Sequence, residues 1–425
     1  MDATTIRVRE PRELLALLPY QLGFRPERSA VAVALRPPRG RVGLIARVDL
    51  ADLADACLGP QLARRLVTHL VGDGAAQAVL VLYADVDPRA LPSRPSLPSR
   101  SSPSSRPAER GATGAPGDAA GAAVPAGVVR PAGPGGTPDP APQALAAVRT
   151  FRQAATAFLG DVAVWVVAPT GYLSLDCLDV DCCPPGGRPL RDLESTEVGA
   201  HMVLAGAMVA DSREALVPDV PAGAAARRNA ARAAARRTVR RAVAQEQGPA
   251  ALGRWRADGL LSWRRELEEV RRGGRGPGAA ALGRLAADLG DVPVRDAVLL
   301  TLVPGAADLP ERSLHPSAVG AVGFGTEVAR VLAAVVSPRD GVPPDPDVHL
   351  PATLLLEQVV GHSAGAARAP ALTLLGLLAW WGGDGARAGV LIDRALAADP
   401  GHRLAHLLAE AVGAGLAPGW VRMSG

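Results

Sequence analysis

Lysine is absent from the 425 residues, so all 46 basic side chains are arginine. That absence removes the phosphate-gripping lysine of a P-loop, the Schiff-base lysine of pyridoxal-phosphate enzymes and the strand lysine of protein kinases. Cysteine is scarce, at four residues, and no apolar run approaches the roughly 18 residues that cross a bilayer. The opening segment, MDATTIRVRE, carries no signal-like apolar stretch. We therefore expect a cytoplasmic chain with reduced thiols and no membrane contact. A formal charge of +4 over this length gives little reason to invoke nucleic acid. Alanine, arginine, 47 glycines and 39 prolines dominate instead, as a GC-rich genome tends to encode, so Arg-rich or Ala-rich runs carry little functional signal.

The length suffices for two or three domains with a sizeable core. Residues 1–87 read as the first part of an α/β domain. A short amphipathic helix over Pro11 to Leu18, stopped by Pro19, precedes a strand at Ala30 to Leu35, a hairpin loop over Arg36 to Arg41 and a returning strand at Val42 to Leu50. A helix from about Leu53 to Val71 and a buried strand at Ala78 to Tyr83 complete it, because compact apolar runs bounded by turn residues read as strands. Residues 88–142 hold 13 of the 39 prolines among Gly, Ser and Ala. With so few large apolar side chains this segment cannot offset its ordering entropy, and we expect a disordered insertion.

The α/β pattern resumes over 143–220, with a helix at Gln143 to Leu159, a strand at Asp161 to Ala168, a segment Tyr172 to Cys177 and a helix at Glu197 to Ala210. Residues 221–290 form an Arg/Ala-rich helical segment, and 291–425 a helical domain. The fold class expected is thus an α/β N-terminal domain followed by an all-helical C-terminal half, α+β overall. Leu372 to Trp381, Ala386 to Ala398 and Leu404 to Val412 read as successive antiparallel helices, and the small residues Gly376, Ala388 and Ala395 before Asp399-Pro400 look like one tetratricopeptide unit.

Three of the four cysteines fall within YLSLDCLDVDCCPPGGRP, Tyr172 to Pro189. Cys177 is followed by the adjacent pair Cys182 and Cys183, then by Pro184-Pro185-Gly186-Gly187, a strong turn signal. Adjacent cysteines do not readily bridge each other, so Cys177 pairs with one of them or all three are free thiols. Three thiolates with His201, Asp179 or Asp181 would also suit tetrahedral zinc. Against that, the spacing departs from Cys-x-x-Cys, and an extended strand would point Cys182 and Cys183 to opposite faces. Packing of a turn by small apolar side chains is the plainer expectation.

The pattern Tyr-x-x-x-x-Cys-x-x-x-x-Cys-Cys-Pro-x-Gly-x-x-Pro resembles one in the actinobacterial domain-of-unknown-function 4192 family. Leu14 to Leu35, Asp291 to Ala297 and Ala369 to Leu408 resemble it too, in order along most of the chain. The resemblance implies no activity, cofactor or site residue.

Other motifs are weaker. Seven arginines between Arg227 and Arg241 spread around a helix without interleaved aromatics, which reads as a solvated helix rather than a nucleic-acid face. Gly361-His362-Ser363-Ala364-Gly365 matches a nucleophile elbow, with Asp384 and His402 further along in hydrolase order. Glu357 and Gln358 sit where the preceding strand should be apolar, and Pro370 interrupts the segment after it. Gly320, Gly323 and Gly325 reverse the dinucleotide fingerprint and come after His315-Pro316 rather than a strand. His402, His406 and Glu410 share a helical face, which we read as solvated rather than metal-binding. Two functions remain, the first preferred, with a serine hydrolase at Ser363 ranked behind both. A non-catalytic binding or scaffold protein would meet a protein partner through its helical half, marked by an exposed apolar groove. A metal- or thiol-dependent activity would require Cys177, Cys182 and Cys183 to converge.

Overall fold

The computed structural model describes residues 10–38, 40–85, 140–273, 276–315 and 320–423. The expected insertion falls, up to residue 139, outside the described residues. An N-terminal five-stranded sheet with helices on both faces leads into a helical C-terminal half, the fold class read from the sequence.

Helix α1 (Pro11–Leu22) runs through Pro19 rather than stopping at it. It ends one turn later, at Gly23, whose φ of 77° is the left-handed cap that terminates helices. Strands β1 (Ser29–Arg36) and β2 (Arg41–Asp49) form the expected hairpin. The single helix expected next is two, α2 (Leu50–Ala54) and α3 (Gly59–Gly72). The break is made by Asp55, whose Oδ1 accepts from the backbone N–H groups of Cys57 at 2.8 Å and Leu58 at 2.7 Å. This short acidic side chain competes with the helix for its own backbone, and the two N–H bonds hold its carboxyl below the usual carboxylate range. Strand β3 (Gln77–Tyr83) precedes α4, which starts at Pro140 and runs to Leu159. Strands β4 (Ala163–Ala168) and β5 (Gly171–Ser174) come next.

Strand order is β2-β1-β3-β4-β5, with β3 and β4 parallel and the other neighbours antiparallel. Alternation along the strands separates two cores. Ala30, Ala32, Leu80, Leu82, Val164 and Val166 face α3 and α4. Val31, Val33, Val79, Val81 and Tyr172 face Leu14, Leu15 and Leu18 of α1. Because β3 is buried on both faces it reads as a continuous apolar run. Two short helices, α5 (Arg191–Glu194) and α6 (Glu197–Leu204), pack beside α1. Helix α6 stops six residues before the expected end, where Gly206 turns with φ 76°.

The helical half begins with α7 (Ala224–Glu246), α8 (Pro249–Arg271), α9 (Ala279–Leu289) and α10 (Val292–Leu302). Short α11 (Leu309–Arg312) precedes α12 (Phe324–Val336) and α13 (Pro346–His362). Then come α14 (Ala369–Trp381), α15 (Gly385–Ala398), α16 (Arg403–Gly413) and α17 (Gly419–Met423). Helices α14 to α16 pack in succession, as the small-residue spacing predicts. A Cβ on Gly376 would lie 2.9 Å from Ile392, so the α14–α15 contact depends on its absence.

The arginine helix corrects the sequence reading on one face only. Arg227, Arg228, Arg232, Arg236 and Arg240 of α7 are exposed as expected, but Ala230 and Ala233 are buried against α9, and a Cβ on Gly283 would meet the Ala230 carbonyl oxygen at 2.1 Å. Arg237 is 7 % exposed. Its Nε donates to Asp288 Oδ1 at 2.6 Å, its Nη2 donates to the Trp255 carbonyl at 2.7 Å, and its guanidinium lies 4.1 Å from the centre of the Trp255 ring. Beside it, fully buried Asp291 accepts from Arg241 and Arg256 at 2.7 and 3.0 Å. Arginine-rich composition is general to this chain, but a planar, always-charged fork that pairs and stacks at once explains these particular positions.

Three outcomes are expected from this packing. Arg237→Ala leaves the Asp288 carboxylate buried without its partner and should cost about 3–5 kcal/mol in denaturant unfolding. Gly283→Ala should separate α7 from α9, at a cost of about 3 kcal/mol. Burial pushes the Asp288 carboxyl up to about 6 against the pull of Arg237. The folded state therefore holds this proton more tightly than the unfolded chain. This residue's contribution to stability is full below about pH 4 and falls as pH rises through about 6. Asp288→Asn should remove that descending component from a stability-versus-pH curve measured in parallel with the wild type.

Candidate metal centre

The cysteine turn grows from the edge of the sheet. As β5 ends, the Leu175 N–H donates to the Val164 carbonyl at 3.0 Å, and Asp176 accepts from Val164 N at 3.1 Å and from Arg152 Nη2 at 2.5 Å. Asp179 then winds the chain into a turn. Its Oδ1 accepts from the N–H groups of Asp181 at 2.9 Å and Cys182 at 3.4 Å, and its carbonyl accepts from Cys183 N at 2.7 Å. An aspartate that bonds the backbone two and three residues on is a turn former.

The diglycine after the prolines sends the chain back. Gly186 and Gly187 have φ of 83° and 84°, and Gly187 N donates to the Pro184 carbonyl at 2.9 Å. A Cβ on Gly187 would stand 2.9 Å from Tyr172 backbone atoms, so glycine is required by close approach as well as by φ. Tyr172 and Arg188 exchange both backbone hydrogen bonds, at 2.9 and 2.8 Å. Arg188 then reaches over the turn, donating from Nε to the Cys182 carbonyl at 2.6 Å and from Nη2 to Cys182 Sγ at 3.3 Å.

The consequence is convergence. The Sγ atoms of Cys177, Cys182 and Cys183 all lie within 4.8 Å of one another, with Cys183 buried and the other two half-buried. The opposed directions expected for Cys182 and Cys183 belong to an extended strand, and the backbone here is a turn. None of the three is in a disulfide, nor is exposed Cys57. Hydrogen bonding at the Asp179 backbone, then from Cys183 and Cys182, pulls the Cys177 thiol below its ordinary range. Cys182 is held above its own, first by its hydrogen bond to Cys177. Cys177 therefore ionises before Cys182, and its thiolate is stabilised by its neighbours' protons.

Tetrahedral zinc with Zn–S bonds of about 2.3 Å sets sulfurs about 3.8 Å apart. The observed spread requires the sulfurs to draw in by about 1 Å at most. His201 and the carboxylates of Asp179 and Asp181 are not part of the convergent group, and His201 is exposed on α6. Arg188, which the sequence reading passed over, is the residue that touches Cys182. Its signal was positional: it is the first side chain after the diglycine.

The remaining motifs resolve into structural roles. Gly361 to Gly365 comes at the end of helix α13 instead of after a strand, and Ser363 Oγ donates to the Val359 carbonyl at 2.7 Å. Asp384 caps α15 by accepting from Arg387 N at 2.9 Å. His402 corrects the solvated-face reading. It is 7 % exposed, caps α16 through Nδ1, which accepts from Ala405 N at 3.3 Å, and lies 3.2 Å from Thr373 Oγ1. Burial and nearby Arg295 hold its imidazole below the ordinary pKa. Among the described residues no hydrogen bond joins Ser363, Asp384 and His402. His406 Nε2 is 2.7 Å from the Pro400 carbonyl oxygen, and neither it nor Glu410 converges with His402 as a metal set. Gly323 is the left-handed residue before α12, a helix start with no strand leading to it.

No curated protein and no solved structure matches the chain. The family described as Domain of unknown function (DUF4192) matches residues 11–419, nearly the whole length, including the cysteine turn and both halves of the fold, and the chain belongs to that family.

Proposed function

We propose that the cysteine turn is a thiolate metal centre for a soft divalent cation of the zinc class, with Cys177, Cys182 and Cys183 as ligands. The observation that carries this reading is the convergence of three unbridged thiols within 4.8 Å. Three soft donors on one concave turn select zinc-like ions over magnesium or calcium, which prefer oxygen. Three protein ligands leave one tetrahedral position for water or another exogenous donor, the arrangement that distinguishes reactive from closed zinc sites. Arg188 offsets part of the thiolate charge through its contact with Cys182, as outer partners of metal ligands do. The scaffold reading called for an exposed apolar groove between helices. Of the two cavities described, one is lined by a mixture that includes Gln61, Arg64, Thr68, His406 and Ala409, and the other largely by charged side chains.

Elemental mass spectrometry of untagged protein purified without oxygen should find about one zinc-class ion per chain. Cys182→Ser and Cys177→Ser should each lose it, and Cys57→Ser should keep it. Because the ligands must lose protons to bind, affinity should fall as pH is lowered. Wild-type protein that carries no such ion, and takes up neither zinc nor cadmium on titration, would refute the reading.

A further inference from the structure

At the opposite end of the sheet, where β2 and β3 reach their carboxyl ends, a cavity of about 620 Å³ opens between the α/β layers and the segment around Arg213. Ligands of layered α/β proteins collect at this edge, because the loops diverge there, and at junctions between structural units. Phe24, 2 % exposed, lies beneath it and bridges to Ala210, and Arg25 N donates to the Ala210 carbonyl at 2.9 Å.

One wall is preorganised. Ser29 is fully buried; its Oγ donates to the Glu27 carbonyl at 2.6 Å and accepts from Arg47 Nε at 2.8 Å. Arg47 Nη2 continues to Asp49 Oδ1 at 2.7 Å, and the Arg47 side chain is 18 % exposed. A guanidinium gripped on two sides in this way is a fixed cation rather than a waving one. Around the mouth stand Arg25 and Arg28, and also Asp52 and Asp85. Arg28 sits at φ 41°, an uncommon conformation for a side-chain-bearing residue, and its carbonyl is fixed by Leu50 N at 2.9 Å. Among the described residues none of these four side chains is in a salt bridge.

The charges decide the ligand. A molecule of one sign entering this cavity would meet side chains of like charge among Arg25, Arg28, Arg47 and Arg213 or among Glu27, Asp49, Asp52, Asp85 and Glu214. We propose that the cavity binds a small zwitterion of the amino-acid type, its carboxylate toward Arg25, Arg28 and Arg47 and its ammonium toward Asp52 and Asp85. Arginine forks suit the planar carboxylate, and two carboxylates offset one ammonium. This site shares no residue with the cysteine turn, so it stands independently of the metal reading.

The test is isothermal titration of the full chain with each common amino acid, and with acetate, inorganic phosphate and methylammonium as single-sign controls. Saturable binding of at least one amino acid is expected, with every control weaker. Arg28→Gln and Asp52→Asn, both exposed positions, should each weaken it about tenfold without shifting the melting temperature of the unliganded protein. Absence of binding across the panel would overturn the proposal. So would a control that binds as tightly as any amino acid, or affinity unchanged in both variants.

Discussion

The pair of backbone hydrogen bonds between Tyr172 and Arg188 is the constraint on which the cysteine turn depends. It makes the intervening residues return to the strand they left, so the turn is a closed excursion from β5 rather than a loop between elements. The closure demands two glycines at close quarters. A Cβ on Gly171 would stand 2.4 Å from the Arg188 carbonyl oxygen, and one on Gly187 would strike Tyr172. Tyr172 itself is 1 % exposed, wedged between the sheet and α1, so the clasp is anchored in the core. Cys183 packs with the opposite core, where Leu173, Val164 and Val166 lie. The turn therefore connects both faces of the sheet across its edge, with Tyr172 held in one core and Cys183 in the other.

Much of this architecture was legible in the chain because strands buried on both faces leave unambiguous apolar runs. Gln77–Tyr83 and Ser29–Arg36 are read with little error for that reason. Local competition was not legible. Nothing in the periodicity of residues 53–71 announces that Asp55 will take two backbone N–H groups for itself and split the helix. Pro19 misled in the other sense. A proline costs a helix its bond to the residue four back, but Leu14, Leu15 and Leu18 around it are buried on the sheet, and tertiary packing outweighs one lost bond.

The site shows the same limit in sharper form. Residue types and spacing identify a thiol-rich turn, yet the decisive quantity is a direction in space. Cys182 and Cys183 diverge if the backbone is extended and converge if it is wound; the Asp179 turn that winds it is a hydrogen-bond pattern, not a composition. Arg237 repeats the lesson in the helical half. Among seven arginines of one helix, only partners distant in sequence mark the two that hold buried carboxylates, Arg237 with Asp288 and Arg241 with Asp291. His402 likewise looked like one of three side chains on a helical stripe, and instead begins the helix, with its ring turned inward onto Thr373.

The two proposed sites use the sheet in complementary ways. The cysteines lie beyond the end of β5, which pairs back toward Trp165 near the amino end of β4. The charged cavity lies at the carboxyl ends of β2 and β3. Because β3 and β4 run parallel, these are opposite ends of one rigid layer. A sheet packed on both faces transmits little local change unless it has two discrete arrangements. Perturbations at the two ends should then add rather than couple, as they do for separated sites without shared partners. The junction offers a route for coupling. Arg213 lines the cavity and pairs with Asp393 of α15 at 3.2 Å, and Arg394 donates to the Glu214 carbonyl at 3.0 Å. A ligand that shifted Arg213 would thus be felt by the helical half before it was felt by the cysteines.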